Sequence, residues 1–372
     1  AATRRAYALA GADPARSTPR SADPSLPPPK PGLSLRAYRG ASRLLAPIAP
    51  MVLARRAERG KEDPARQNER LGRSQRARPD GPLAWIHAAS VGELIAVLPV
   101  IDRIREARAD LTVLVTTGTV TSAGIAATRL GPGAIHQFVP IDTPQAVGGF
   151  LDHWKPSLAI FTESEIWPNL MLATSQRRIP LVLVNARMSS RSSQRWRRRK
   201  RIAKQLFGQF RLVLAQNAVF ARNFQQLGAP QTINVGNLKI DAPAPPVEAV
   251  ELQRLHQIIG DRPVLVAAST HEGEERILAQ AHSRLREAMP KLLTILAPRH
   301  PERGEKLAAE FSAAGLSVAQ RSSGADPTHA TDIYLADTIG ELGLFDSLGR
   351  VVFLGGSLVE HGGQNPIEAI RL

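Results

Sequence analysis

The stretch Trp85-Ile86-His87-Ala88-Ala89-Ser90-Val91-Gly92-Glu93 decides the fold. An apolar run empties into a turn of small residues, and a carboxylate stands where a helix should begin. A strand-to-helix turn of this kind delivers its side chains to the edge of a parallel sheet, where ligands bind, and the unpaired N–H groups of the helix start favour anions. Glu93 is therefore the first candidate for chemistry.

Outward from that turn, short apolar runs alternate with helical periods. Strands are expected at Leu83 to Ala88, Thr112 to Thr116, Ala134 to Phe138, Leu158 to Phe161, Pro180 to Val184, Leu212 to Leu214 and Ile233 to Val235, with amphipathic segments such as Ile95 to Ala107 and Val219 to Leu227 between them. This alternation predicts a parallel sheet covered on both faces. The proline-rich Asp241-Ala242-Pro243-Ala244-Pro245-Pro246 can continue neither a helix nor an inner strand and reads as a linker, 242–251. Beyond it come strands at Val264 to Ala268, Leu292 to Leu296, Ile333 to Ala336 and Val351 to Leu354, with helices from Glu274 to Glu287 and around Glu302 to Ala314. The expectation is an α/β protein of two Rossmann-like domains, 81–241 and 252–372, facing a cleft.

Composition narrows the function. The 372 residues, 43% hydrophobic, exceed the roughly 250 to 300 at which single cores stop growing, so two domains are expected. Cysteine is absent, which rules out disulfides and thiolate metal sites and fits a reducing compartment. Residues 1–250 carry 36 Lys and Arg against 17 Asp and Glu, whereas residues 251–372 carry 12 against 16, within a net charge of +15. The basic half suits an anionic partner, either a phosphorylated lipid surface or a nucleic acid; an arginine-rich solvated surface is the plainer alternative.

No run approaches the roughly 20 apolar residues that span a bilayer. In the segment 35–80, Tyr38, Leu44, Leu45, Ile48, Met51, Val52 and Leu53 are interleaved with Arg36, Arg39 and Arg43 and followed by Arg55 and Arg56. That pattern suits a helix in a membrane interface, broken or bent at Pro47 and Pro50, or a terminal helix packed on the domain. Residues 1–34, rich in Pro, Ala and Ser, read as a disordered leader.

Several turns repeat the strand-end pattern. Thr116-Thr117-Gly118-Thr119, Thr162-Glu163-Ser164-Glu165-Ile166-Trp167-Pro168-Asn169 and Asn185-Ala186-Arg187-Met188-Ser189 each bring polar groups to one rim. Glu163 and Glu165 read as a carboxylate pair, either capping the helix that Pro168 starts or, with Trp167, holding a sugar. From Arg187 to Arg201 the chain reads RMSSRSSQRWRRRKR, which attracts phosphate with little selectivity; Arg187 and Arg191, with Ser90, are candidates for an acceptor phosphate. Trp196 is the only aromatic in that run, and no nucleic-acid module is recognisable, so no nucleic-acid partner is expected.

In the second half, Ala268-Ser269-Thr270-His271-Glu272-Gly273-Glu274, Ala297-Pro298-Arg299-His300-Pro301, Gly355-Gly356-Ser357 and His361-Gly362-Gly363-Gln364-Asn365-Pro366-Ile367-Glu368 all follow strands. Glycines let the backbone approach phosphate, and the helix begun by Pro366 aims N–H groups at the same point. As a set, these turns suggest a nucleotide mono- or diphosphate. No metal clamp and no G-x-x-x-x-G-K-[ST] loop is present, so metal-free chemistry without ATP hydrolysis is expected.

Taken together, these residues resemble the 3-deoxy-D-manno-octulosonic acid (Kdo) transferases of lipopolysaccharide synthesis, inverting glycosyltransferases of the two-Rossmann B-type fold. The resemblance runs from about Leu35 to the end. It rests on HAASVGE (His87 to Glu93), TTGTVTSA (Thr116 to Ala123), FTESEIWPN (Phe161 to Asn169), LVNARMS (Leu183 to Ser189), GNLKID (Gly236 to Asp241), APRHPER (Ala297 to Arg303) and the Gly355 to Glu368 stretch.

The resemblance implies that Kdo passes from CMP-Kdo to a tetraacyl-disaccharide lipid A precursor at the cytoplasmic face of a bacterial inner membrane, with no cofactor beyond the donor. It makes Glu93 the general base, kept ionised but weakly basic by the helix start beside it. Glu163 and Lys239 match positions linked to transition-state stabilisation, although Lys239 alone also reads as an exposed hinge lysine. The CMP site carries over onto Pro298, Arg299, Ile339, Gly340, Glu341, Asn365, Pro366, Ile367 and Glu368, with Arg299 on phosphate and Glu341 or Glu368 facing ribose.

Two departures stand out. The N-terminal segment is dotted with arginine where the family is more continuously apolar, which implies weaker membrane attachment. The family also runs on past Glu368 to Leu372, so the chain reads as a fragment truncated in its C-terminal domain. A UDP-sugar transferase or epimerase of the same fold is the alternative, and a nucleic-acid scaffold built on the arginine run is the reading from another class.

Overall fold

The computed structural model describes residues 31–241, 244–245, 247–360, 363–364 and 366–372, with Glu368 described by its backbone alone. Most of the expected leader, along with His361, Gly362 and Asn365, therefore lies outside the described residues. The chain divides into two compact units between Ala242 and Pro243.

The first unit is built on seven parallel strands: β1 (Leu83–His87), β2 (Thr112–Thr117), β3 (Ala134–Phe138), β4 (Leu158–Thr162), β5 (Leu181–Ala186), β6 (Leu212–Ala215) and β7 (Thr232–Asn234). Their spatial order is β3-β2-β1-β4-β5-β6-β7. All five residues of β1 are buried, as a continuous apolar run in a parallel sheet requires when helices cover both faces. Successive side chains take opposite faces. Trp85 enters one core with Phe150 and Phe161, its ring centroid 4.8 and 5.2 Å from theirs, while Ile86 enters the other with Leu94, Val97 and Val115. The Trp85 indole N–H donates to Thr116 Oγ1 at 2.8 Å, so the buried ring leaves no donor unpaired.

The N-terminal segment belongs to this unit. Helices Leu33–Leu45 and Ala49–Glu58 are separated by a 3-10 turn, Ala46–Ile48, with Pro47 in that turn and Pro50 in the first turn of the second helix. The break falls where the prolines require it, because proline is tolerated only where its missing N–H would have been unpaired. Leu35 and Leu53 are buried, but Leu44, Leu45, Ile48, Met51 and Val52 are exposed.

The second unit carries five parallel strands: β8 (Val264–Thr270), β9 (Leu293–Pro298), β10 (Val318–Gln320), β11 (Ile333–Leu335) and β12 (Val351–Leu354), in the order β10-β11-β9-β8-β12. β10 was not expected. It has three residues at a sheet edge, too few to show a period. Helix Ala249–Ile259 begins inside the stretch read as linker, so 249–251 are helical. Each unit is an open parallel Rossmann-like sheet, as the alternation predicted.

Candidate functional site

In an open parallel sheet, ligands bind beyond the carboxyl ends of the strands where the order reverses. In the first unit the chain goes outward from β1 through β2 to β3 and then returns to β4 on the other side of β1. The reversal lies between β1 and β4. The residues leaving those two strands are Ala88 to Glu93 and Glu163 to Trp167, so strand order alone brings Glu93 and the ESE acids to one place.

Ser90 caps helix Val91–Ala107, and its hydroxyl both accepts from the Glu93 N–H (3.4 Å) and donates to Glu93 Oε1 (3.0 Å). This is a variant of the capping box in which the acid takes the N–H of Ala89, one residue before the cap. Glu93 Oε2 accepts from the Ala89 N–H at 3.0 Å and meets Thr162 Oγ1 at 2.5 Å. Only 8% of Glu93 is exposed. Burial pushes its carboxyl above the usual carboxylate range, against the Thr162, Ala89 and Ser90 hydrogen bonds and with help from the negative charge of Glu165. This corrects the expectation of a weakly basic carboxylate held down by the helix start: desolvation outweighs the donors.

The expected Glu163 and Glu165 pair separates into two roles. Glu165 Oε2 accepts from the Trp167 indole at 2.6 Å and lies 3.8 Å from Nε2 of the fully buried His87. Burial raises its proton affinity, but His87 and Trp167 outweigh burial and hold Glu165 below its ordinary value. Glu93 and Glu165 are thus pushed in opposite directions, the arrangement that gives neighbouring carboxylates different tasks.

Glu163 adopts φ +52°, a left-handed conformation uncommon for a residue with a side chain. Its Oε1 lies 2.9 Å from Lys239 Nζ and its Oε2 3.6 Å from Arg187 Nε. Lys239 arrives through a second strained residue. Asn185, at φ +51°, interrupts the β5–β6 register, and its Oδ1 accepts from the Leu238 N–H at 3.0 Å, docking the 3-10 turn Leu238–Ile240 onto the rim. A Cβ built on Gly92 would lie 3.8 Å from Lys239 Nζ, so the ammonium also stands beside the first turn of the Glu93 helix. Lys239 is thus held at the rim by Glu163, with its side chain 21% exposed. Arg187 reaches the same acid, whereas Arg191 is exposed on helix Ser190–Arg198.

In the second unit the reversal lies between β8 and β12. Ser269, at φ +54°, bulges the end of β8, and Gly355 packs so closely that an added Cβ would fall 2.0 Å from the Ser269 carbonyl oxygen. Glu274, fully buried, accepts backbone N–H bonds from His271, Gly356, Ser357 and Leu358 at 2.7 to 2.9 Å. Burial opposes its ionisation, yet these four donors outweigh burial and keep it acidic. Gln364 Nε2 lies 3.0 Å from His271 Nε2, tying the turn before Pro366 to the same rim.

Of the expected nucleotide residues, Pro298 is buried as the last residue of β9, and Arg299 is exposed, with its N–H on the Thr270 carbonyl at 2.9 Å. Ile339 is 83% exposed and Gly340 takes φ +91°. Glu341 is gripped by Arg321 (Nη2 to Oε1, 2.6 Å) and by the Thr338 hydroxyl, and the guanidinium holds its carboxyl below the ordinary value. Pro366 is exposed just ahead of the short helix Ile367–Ile370. Asn365 and the side chain of Glu368 lie outside the described residues. The sequence alone assigns no role to Thr162, Glu274 or Arg321: Thr162 stands unremarked inside its motif, and most partners of the other two are distant in sequence. Among the described residues no group of three or more His, Asp or Glu side chains is arranged to hold a metal ion.

Comparison with known proteins gives the same family twice. Residues 65–242 match the family described as 3-Deoxy-D-manno-octulosonic-acid transferase (kdotransferase). The 3-deoxy-D-manno-octulosonic acid transferase of Rickettsia bellii is 37% identical over 90% of this chain and 80% of its own. A probable mitochondrial 3-deoxy-D-manno-octulosonic acid transferase of Arabidopsis thaliana is 37% identical over 87% of this chain and 74% of its own. A UDP-GlcNAc 2-epimerase from Neisseria meningitidis superposes with a TM-score of 0.52 over 73% of this chain and 76% of its own at 13% identity, a likeness of fold alone.

Proposed function

The chain belongs to the Kdo transferase family of glycosyltransferases, and from that premise we propose that it moves Kdo from CMP-Kdo to a tetraacyl-disaccharide lipid A precursor with inversion, Glu93 acting as general base. The observation that carries this reading is the placement of Glu93 at the β1/β4 reversal, buried, hydrogen-bonded on both oxygens and raised in proton affinity. In the proposed step the acceptor hydroxyl gives its proton to Glu93 while its oxygen bonds to the anomeric carbon. The bond from that carbon to the CMP phosphate oxygen breaks, and its electron pair leaves with CMP.

Lys239 and Arg187, set around Glu163, supply positive charge for the Kdo carboxylate or the departing phosphate, and Glu163 fixes where that charge stands. These groups make a metal unnecessary in the proposed step, so transfer is expected to survive excess EDTA. CMP is assigned to the rim of the second unit, with Arg299 on phosphate and Glu341 or Glu368 toward ribose. The likeness to UDP-sugar enzymes is one of fold, and titration of CMP against UDP separates the two: tighter UDP binding would contradict the donor assignment.

The exposed Leu44, Leu45, Ile48, Met51 and Val52, with Arg43, Arg55 and Arg56 alongside, support peripheral attachment to the cytoplasmic face of the inner membrane. No helix among the described residues is long and apolar enough to cross a membrane. The test of the whole reading is transfer itself: an intact protein incubated with CMP-Kdo and lipid A precursor should increase the lipid mass by Kdo increments.

A further inference from the structure

Thr162 is the last residue of β4, 1% exposed, and its hydroxyl faces two acceptors. Oγ1 lies 3.0 Å from the His87 carbonyl oxygen and 2.5 Å from Glu93 Oε2. A threonine hydroxyl carries one proton, so it serves only one of them at a time. A carbonyl oxygen can only accept, whereas a carboxyl group accepts when ionised and donates when protonated. The two acceptors compete on similar terms only when Glu93 is protonated, and the hydroxyl is then able to turn its hydrogen bond to His87. When Glu93 is ionised, the hydroxyl belongs to Oε2.

We propose that Thr162 is a two-way hydroxyl for the base: it donates to Glu93 Oε2 while Glu93 is charged, and turns its proton to the His87 carbonyl once Glu93 has taken the proton of the acceptor sugar. No proton is gained or lost by Thr162. Its O–H bond rotates about Cβ–Oγ1 toward the His87 carbonyl, because a neutral carboxyl accepts a hydrogen bond less strongly than the carboxylate did. The inference rests on the general-base reading of Glu93. Thr162 acts through Glu93 and is a positioning residue, since its hydroxyl lies against Oε2 of the base.

The other groups around the base do not duplicate this behaviour. The Ala89 N–H donates only, Ser90 Oγ also accepts from the Glu93 N–H, Lys239 Nζ stands beside Gly92 on the same helix turn, and Glu165 and His87 face each other at 3.8 Å. Among these, only Thr162 bridges Glu93 to a carbonyl that can accept the hydroxyl's hydrogen bond when Glu93 is neutral.

The experiment compares Thr162→Val, which keeps the volume without the hydroxyl, with Thr162→Ser, which keeps the hydroxyl. The full chain is assayed with CMP-Kdo and lipid A precursor from about pH 5 to 9. Thr162→Val should lower kcat about 10- to 100-fold with KM for CMP-Kdo within about twofold. The acid limb of its pH profile should move up by about half a unit to one unit, because a hydrogen bond to the ionised base is worth more than one to the neutral form. Thr162→Ser should stay within about threefold of the wild type. In a Glu93→Gln background the Val change should cost no further activity, because its effect runs through the base.

A Thr162→Val enzyme with unchanged kcat and pH profile overturns the proposal, and so does a Ser variant as impaired as the Val variant. Full additivity with Glu93→Gln overturns it as well. If Glu93→Gln alone keeps wild-type kcat, the base assignment itself has failed, a result distinguishable from failure of the Thr162 assignment.

Discussion

A buried carboxylate proposed as a base must ionise at a cost to the fold, and Glu93 makes that cost measurable. Its proton affinity is raised in the folded state, so the folded protein binds the proton more tightly than the unfolded chain does. Below the ordinary carboxylate value both states are protonated and Glu93 costs nothing; as pH rises through its raised folded value, the full penalty appears. Glu93→Gln should therefore raise Tm at pH 8 while lowering kcat about 1,000-fold or more, and the gain in Tm should vanish near pH 4. A Tm equal to that of the wild type at every pH would contradict the assigned burial cost. Lys239→Met should leave the Glu163 charge against an emptied partner, lowering kcat about 100-fold or more while the protein stays folded. A kcat within twofold of the wild type would remove Lys239 from the reaction. At this scale Lys239 was marked only by the family resemblance, whereas the candidate acids were legible as residue types at strand ends. Their division of labour was not, because Glu163 meets Lys239 and Glu165 meets His87 only through contacts far apart in the chain.

At the scale of the element, the strand ends read well in both halves because continuous apolar runs closed by small or polar residues leave few alternatives. Ala134–Phe138 and Val351–Leu354 coincide with their expected limits, while Val318–Gln320 was too short for any period to show. The bulges at Asn185 and Ser269 were illegible, since a positive φ at a residue with a side chain is imposed by the surrounding sheet rather than encoded locally. Close approach makes one such turn fragile. Gly355→Ala drives a Cβ into the Ser269 carbonyl, and thermal melting should show destabilisation of about 1 to 3 kcal/mol, with loss of CMP binding. An unchanged Tm would mean that β8 and β12 are free to part at that point. On the N-terminal helices, Leu44→Asp with Met51→Asp should reduce sedimentation with anionic vesicles several-fold while leaving Tm unchanged, because both side chains are more than half exposed. Undiminished vesicle binding would contradict the proposed membrane face.

For the molecule as a whole, the sequence indicated two α/β units and the junction near Ala242, but not the order of strands within either sheet. That order puts the reversal at β1/β4 and at β8/β12, and so selects Glu93 with the ESE acids, and Glu274 with the Gly355 turn, from the many polar groups that end strands. Local pattern says where a strand stops; only the assembled sheet says which two stops are neighbours. The proposal on which the others depend is that the acid at the start of helix Val91–Ala107 takes the proton during transfer of Kdo. Its most direct test is the mass of the lipid A precursor after incubation of the intact protein with CMP-Kdo, alongside Glu93→Gln. A Kdo increment is expected with the wild type and, for the variant, kcat lower by about 1,000-fold or more with CMP-Kdo still bound. An unchanged lipid mass with the wild type, or an equal rate with Glu93→Gln, would contradict it.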